Sequence, residues 1–208
     1  MNQANEKDLN KKKSIVKTIK GKRGIIYTIA CSLSIVLSIV FSSIMIGRGQ
    51  SPRTLAFSQI GNENQALFIL WGITTSLAVY LNLKLLRRRL KYNNKAFEIL
   101  LAIGCSMAIV TTCVVGSETV RRVIHIGSAM AFGLLCVACV VWLMVIKYWR
   151  KNKKATTIYL TAIALSALIL IFSTISVGWF TAYTQILITN VSLIIMFFSN
   201  FVEKWTVE

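Results

Sequence analysis

The chain has 208 residues, of which 55% are apolar and only 15% charged, and its mean hydropathy is +0.65. A soluble domain carries about 25% charged residues, so this chain lacks the polar surface that a water-soluble fold needs; its one Pro and 11 Gly likewise exclude a collagen-like or proline-rich polymer. The formal charge of +17 comes from 24 Lys and Arg against 7 Asp and Glu, but the cations lie in separate clusters between apolar stretches, unlike the single basic surface of a nucleic-acid binder.

A membrane-crossing helix needs about 20 mostly apolar residues to cover about 30 Å of hydrocarbon. Six stretches meet that length, and they predict an all-α integral membrane bundle of six transmembrane helices with both termini cytoplasmic. Residues 1–23 form a basic tail. Within it, 11–23 carry a thin apolar face (Ile15, Val16, Ile19) suited to a short basic helix resting on a membrane surface. The first span, 24–47, is too long an apolar run for a cleavable signal peptide. A polar loop follows, in which Pro52 and Gly61 suit turns and Asn62 or Asn64 suits the cap of the second span, 65–83. The third span, 96–116, opens on Glu98, placed to pair with Lys95. The fourth, 123–146, contains His125, and its Gly127 to Ala131 stretch has small residues spaced for tight helix packing. The fifth, 155–176, is joined to the sixth, 179–201, by little more than Gly178 and Trp179. Trp179 and Tyr183 fit the outer aromatic belt, Trp149 and Trp205 the inner one. Gln185, Asn190 and Ser192 in the last span are expected to bond across helices. The membrane domain thus covers 24–202, and 203–208 form a second cytoplasmic tail.

Orientation follows from the basic residues. Eight precede Gly24, six lie between Lys84 and Lys95, five lie between Lys147 and Lys154, and Lys204 completes twenty on one side; Arg48, Arg53, Arg121 and Arg122 are the four on the other. The clusters are topology signals that rest against anionic headgroups. Usage rich in Lys, Asn and Ile points to a bacterial plasma membrane.

Ionisable groups inside spans are costly and therefore mark function. No Asp lies inside a span and no Lys or Arg sits near a midplane, which argues against a proton pump or an ion-coupled transporter. The polar groups gather at one outer end: Glu118, Arg121, Arg122, His125 and Ser128 around the start of the fourth span, with Glu63 from the first outer loop. One reading is a small outward pocket in which the arginines hold a headgroup phosphate and an ion pair to Glu63 shapes the site. The other is an interfacial histidine bonded to a neighbouring helix, with arginines solvating the helix end. A single histidine cannot build a zinc site or a bis-histidine haem site, so no metal and no cofactor is expected. The five cysteines all lie in apolar segments; Cys136 and Cys139 form a CxxC without a second pair, which suits packing better than redox chemistry.

The run Ser58-Gln-Ile-Gly61, followed by Leu67-Phe-Ile-Leu-Trp-Gly72, resembles the outer-loop motif of a bacterial six-span family catalogued as domain of unknown function nine-nine-eight. His125-Ile-Gly-Ser-Ala-Met-Ala-Phe132 is similar to that family's histidine opening the fourth span, followed by small residues and Phe. The family often places an acidic residue and a proline before the histidine; here Glu118 is present and the proline is not. In layout the family is similar to eukaryotic six-span proteins linked to lipid remodelling and autophagy modulation, so the resemblance implies a lipid-related role.

The leading expectation is a bundle that binds a lipid or small amphiphile near the outer leaflet without catalysis. The alternative is a non-catalytic subunit of a membrane transport or signalling complex, docked through its basic loops. A lipid-headgroup enzyme ranks third, with His125 as base, Glu118 as acid or orienter, and Thr111, Thr112, Ser117 or Ser128 as nucleophile. The expected partners are membrane lipids and a membrane protein, and no nucleic acid.

Overall fold

The computed structural model describes residues 3–48, 56–114, 119–177 and 181–202, and within them every side chain except those of 3–23, Asn62 and Val177. Eight α-helices follow in chain order: α1 (Gln3–Arg48), α2 (Phe57–Glu63), α3 (Gln65–Arg89), α4 (Lys95–Cys113), α5 (Thr119–Leu143), α6 (Trp149–Lys151), α7 (Lys153–Val177) and α8 (Ala182–Phe197). A π-helical turn, Met144–Tyr148, fuses α5 to α6, and a second, Phe198–Val202, extends α8. Six of the resulting helical stretches are long and apolar enough to cross a membrane, among them 24–48 of α1 and the fused Thr119–Lys151. The chain is a multi-pass membrane protein. Its first helix continues without a break through the basic segment, and its fourth crossing is longer at both ends than its apolar run.

Polarity runs inside out, as lipid demands. On α1 the exposed stripe is Ile29, Leu33, Val36 and Val40, while the buried one includes Ser34, Ser38 and Ser42. Lipid tails are as apolar as Leu, so interhelical hydrogen bonds and close packing hold such a bundle together. Helix α3 is the most enclosed of the crossings, at 50% buried, and uncharged polar contacts tie it to three neighbours. Ser38 of α1 bonds Thr75, Ser76 donates to the carbonyl of Cys105 on α4 at 2.8 Å, and Asn82 donates to the carbonyl of Cys31 at 3.0 Å. Asn200 then donates to the carbonyl of Asn82 at 3.1 Å, which fastens the end of α8. Each such contact contributes about 0.6 kcal/mol.

Glycines permit the closest approaches, though not where the sequence pattern placed them. A Cβ on Gly72 would lie 2.4 Å from Thr112 Oγ1, so α3 and α4 touch there without side-chain spacers. Gly104 similarly faces Leu135 and Cys136 of α5. Nothing lies within 4 Å of a Cβ on Gly127; the Gly127 to Ala131 stretch does not form a tight seam, because α4 packs on the face carrying Ser128, Phe132 and Cys136.

The α3–α4 hairpin closes by a Schellman motif. The amide of Lys91 donates to the carbonyl of Arg88 at 3.1 Å and that of Tyr92 to the carbonyl of Arg87 at 3.0 Å, the pairing that satisfies orphan carbonyls at a helix end. Lys91 takes the left-handed position with φ of 49°, which costs a side-chain-bearing residue roughly 1 kcal/mol. Lys91→Gly is therefore expected to raise the thermal midpoint in detergent rather than lower it. Asn94 then caps α4 by accepting from the amide of Phe97 at 3.2 Å. Glu98 pairs with Arg87, not with Lys95: the antiparallel hairpin brings the end of α3 alongside the start of α4, and the Lys95 side chain is exposed.

Two large clusters fill the interior. One surrounds Leu83, Leu86, Phe97, Leu143, Met144 and Tyr148 at the basic end, where the π turn directs Leu143, Met144 and Tyr148 all inward. The other lies at the opposite end and joins Met45, Phe57, Ile60, Phe68, Trp71, Ala182 and Ile186. Tyr27, Arg88 and Phe201 mark the basic end: Arg88 lies over the Tyr27 ring at 5.3 Å and Arg89 over the Phe201 ring at 5.8 Å.

Candidate functional site

Residues 57–63, between the first two crossings, form helix α2. Helix α2 packs as a lid on the far end of α3, with Gly61 held directly against the Phe68 ring, where a Cβ would come within 2.6 Å. Gly61 thus serves a close approach inside a helix and not a turn; Pro52 lies outside the described residues. Asn64 stands at the start of α3, but its side chain makes no capping bond. The lid is fixed instead by glutamines. Gln59 Oε1 accepts from the amide of Ala56 at 2.8 Å, and Gln185 Oε1 on α8 accepts from the amide of Phe57 at 3.2 Å. Gln185 so makes the expected cross-element bond, whereas Asn190 Oδ1 and Ser192 Oγ have no hydrogen-bond partner among the described residues.

His125 sits beside this lid. It is nearly two turns inside α5, half-buried, with its ring 6.3 Å from that of Phe68. Its Nδ1 lies 2.8 Å from the carbonyl of Thr111 and 3.2 Å from that of Val114. Carbonyl oxygens only accept, so Nδ1 carries the hydrogen. The imidazole therefore closes the last turn of α4, whose terminal carbonyls lack intrahelical donors. Nε2 is left with no hydrogen bond among the described residues.

The hydroxyls nearby are committed elsewhere. Thr111 Oγ1 donates at 2.8 Å to the carbonyl of Met107 and lies 2.9 Å from Ser128 Oγ, which in turn donates to the carbonyl of His125 at 3.0 Å. Thr112 Oγ1 bonds the carbonyls of Ala108 and Ile109. None of these three hydroxyls bonds the imidazole, so none forms a nucleophile–base pair with it; Ser117 lies outside the described residues.

Arg121 and Arg122 are exposed on the first turn of α5. The helix dipole is positive there, so two cations at this position favour an anion in front of them. Glu118 lies outside the described residues. Glu63 is exposed at the end of α2 and faces a hollow lined by Met45, Arg48, Ile60, Asn64 and Leu67. That hollow, about 20 Å³, has room for a water but not for a headgroup. The expected ion pair from Glu63 to Arg121 or Arg122 is not formed; the one carboxylate–cation bridge among the described residues is Arg87 to Glu98, at the basic end. The site therefore brings together His125, Ser128, Thr111 and the aromatic lid, with Arg121 and Arg122 above, and leaves Glu63 at the hollow it shares with Met45 and Arg48 of α1. Val114 and Phe68 are neighbours of the histidine that the sequence did not reveal, and Thr111, a candidate nucleophile from sequence, meets the ring through its carbonyl instead.

No protein family matches the chain, and no curated protein or solved structure is similar to it.

Proposed function

We propose that this membrane protein binds a lipid or small amphiphile at the His125 end of the bundle, in the outer leaflet, and does not transform it. The observation that carries the reading is the half-used imidazole: Nδ1 is consumed by the end of α4, and Nε2 has no partner among the described residues, one turn from the two exposed arginines of α5. A phosphate-bearing headgroup suits that arrangement, with charge for the arginines and a hydroxyl or amine to donate to Nε2. The likeness of the two short motifs to the bacterial six-span family adds a lipid-related expectation. Against the enzyme reading stands the commitment of Thr111, Thr112 and Ser128 to carbonyls.

Native mass spectrometry of gently extracted protein, wild type beside His125→Ala and Arg121→Gln/Arg122→Gln, tests this. Wild type is expected to carry a discrete lipid-sized mass that both variants lose. An empty monomer in all three ends the lipid reading, as does a stoichiometric protein companion, which would establish the second reading of a non-catalytic subunit. That alternative draws on α7, the least enclosed crossing at 11% buried.

The outer-leaflet assignment rests on the twenty basic residues that set the other end towards the cytoplasm. Cys113, at the end of α4 beside the site, is exposed while Cys31, Cys105, Cys136 and Cys139 are buried. A membrane-impermeant maleimide added to intact cells is therefore expected to label the wild type and not Cys113→Ser. Labelling only after the cells are opened would reverse the orientation.

A further inference from the structure

At the basic end, the α3–α4 hairpin and the end of α5 assemble hydrogen-bond donors without enough acceptors. The Schellman turn fixes Tyr92 against α5, where its hydroxyl accepts from Asn94 Nδ2 and from Trp142 Nε1, each at 3.0 Å. Two donors occupy both lone pairs of a phenolic oxygen, so the hydroxyl's own hydrogen points to neither, and no described residue accepts it. Lys147 holds its ammonium 5.5 Å over the Tyr92 ring. Among the described residues no carboxylate is left to neutralise it: of the two whose side chains are described, Glu63 is at the opposite end and Glu98 is taken by Arg87. Lys91, Lys95 and Arg150, all exposed, add positive charge at this end. Tyr92, Trp142 and Lys147 are themselves half-buried, which leaves the spare donors reachable.

The geometry points to a second, independent site here, in which the Tyr92 hydroxyl and the Lys147 ammonium hold a phosphate group that carries net negative charge. Phe97, edge-on to both Tyr92 and Trp142 with centroids at 6.1 and 6.5 Å, closes its apolar floor. The phosphate can belong to an anionic phospholipid of the adjoining leaflet or be free in solution; oxygens of either kind satisfy the same two donors.

The test is a titration of delipidated full-length protein, followed by native mass spectrometry, with phosphatidylglycerol or phosphatidylcholine as probe. Wild type is expected to bind the first phosphatidylglycerol about five-fold more tightly than Lys147→Gln does, the weight of one lysine at an anionic surface. Tyr92→Phe should weaken it as well, and phosphatidylcholine should show no such dependence. A second arm adds millimolar inorganic phosphate. Displacement of the lipid assigns the site to the phosphate alone, and no displacement assigns it to the lipid headgroup. Equal phosphatidylglycerol affinity in wild type and Lys147→Gln, with both folded by circular dichroism, overturns the proposal. His125→Ala should leave the Lys147 dependence of this titration unchanged, which separates it from the site at the other end.

Discussion

Phe68→Ala is expected to destabilise the bundle by about 3 kcal/mol, the scale of a large-to-small change in a filled core. Phe68 is 1% exposed and joins three elements, α2, its own α3 and α5. It stacks on Trp71 at 5.8 Å, meets Phe57 of α2 edge-on at 5.8 Å, lies 6.3 Å from the His125 ring and fills the space opened by Gly61. In a membrane the loss does not come from exclusion of water. It comes from the dispersion contacts that a void forfeits. The α2 lid should loosen before the crossings separate, because α2 is held chiefly by this cluster and by the Gln185 bond. Two readouts check it: the population resisting SDS-induced unfolding, and protease cleavage within 56–64. A variant that unfolds like wild type and keeps its lid uncut would show that the aromatic cluster does not secure this end.

Gly72→Ala is the second large effect, expected at about 2 kcal/mol because overpacking a close helix contact forces the backbones apart. A methyl there would meet Thr112 Oγ1 at 2.4 Å and Thr112 Cγ2 at 2.5 Å. Removing those atoms by Thr112→Ala leaves Cβ at 3.0 Å, an approach a small shift can absorb. The pair should therefore be non-additive: Gly72→Ala/Thr112→Ala is expected to recover most of the stability lost in Gly72→Ala alone. A double-mutant cycle in mixed micelles measures the coupling. Additive losses would place the damage elsewhere than the α3–α4 contact.

Much of the architecture was legible because a bilayer imposes it. Six apolar runs of sufficient length, separated by basic clusters, leave one arrangement of crossings, and the helices run where those runs predicted. The ends were less legible. The fourth crossing continues to Lys151 because a π turn keeps Met144 and Tyr148 in the core, and apolar run length carries no sign of that. The Asn94 and Asn152 caps were visible in principle, each being an Asn immediately before a helix; Asn64 has the same signature and does not cap. Local pattern therefore proposes caps, and the approach of the chain decides them.

Of the candidate site, the sequence supplied the residues but not their relations. Composition and hydropathy by themselves determined that the chain spans a membrane, that polar groups would be scarce inside it, and that His125, Arg121 and Arg122 would stand together at one helix start, because four-residue spacing on a helix is a local fact. Only the tertiary structure decided what the imidazole touches. The carbonyls of Thr111 and Val114 reach it from another helix, and so does the Phe68 ring. The same holds for the glycines. Gly127 looked like a packing site and faces open space, while Gly61 and Gly72 carry the contacts. A small residue permits a close approach, but which helix arrives is set by the packing of the whole bundle.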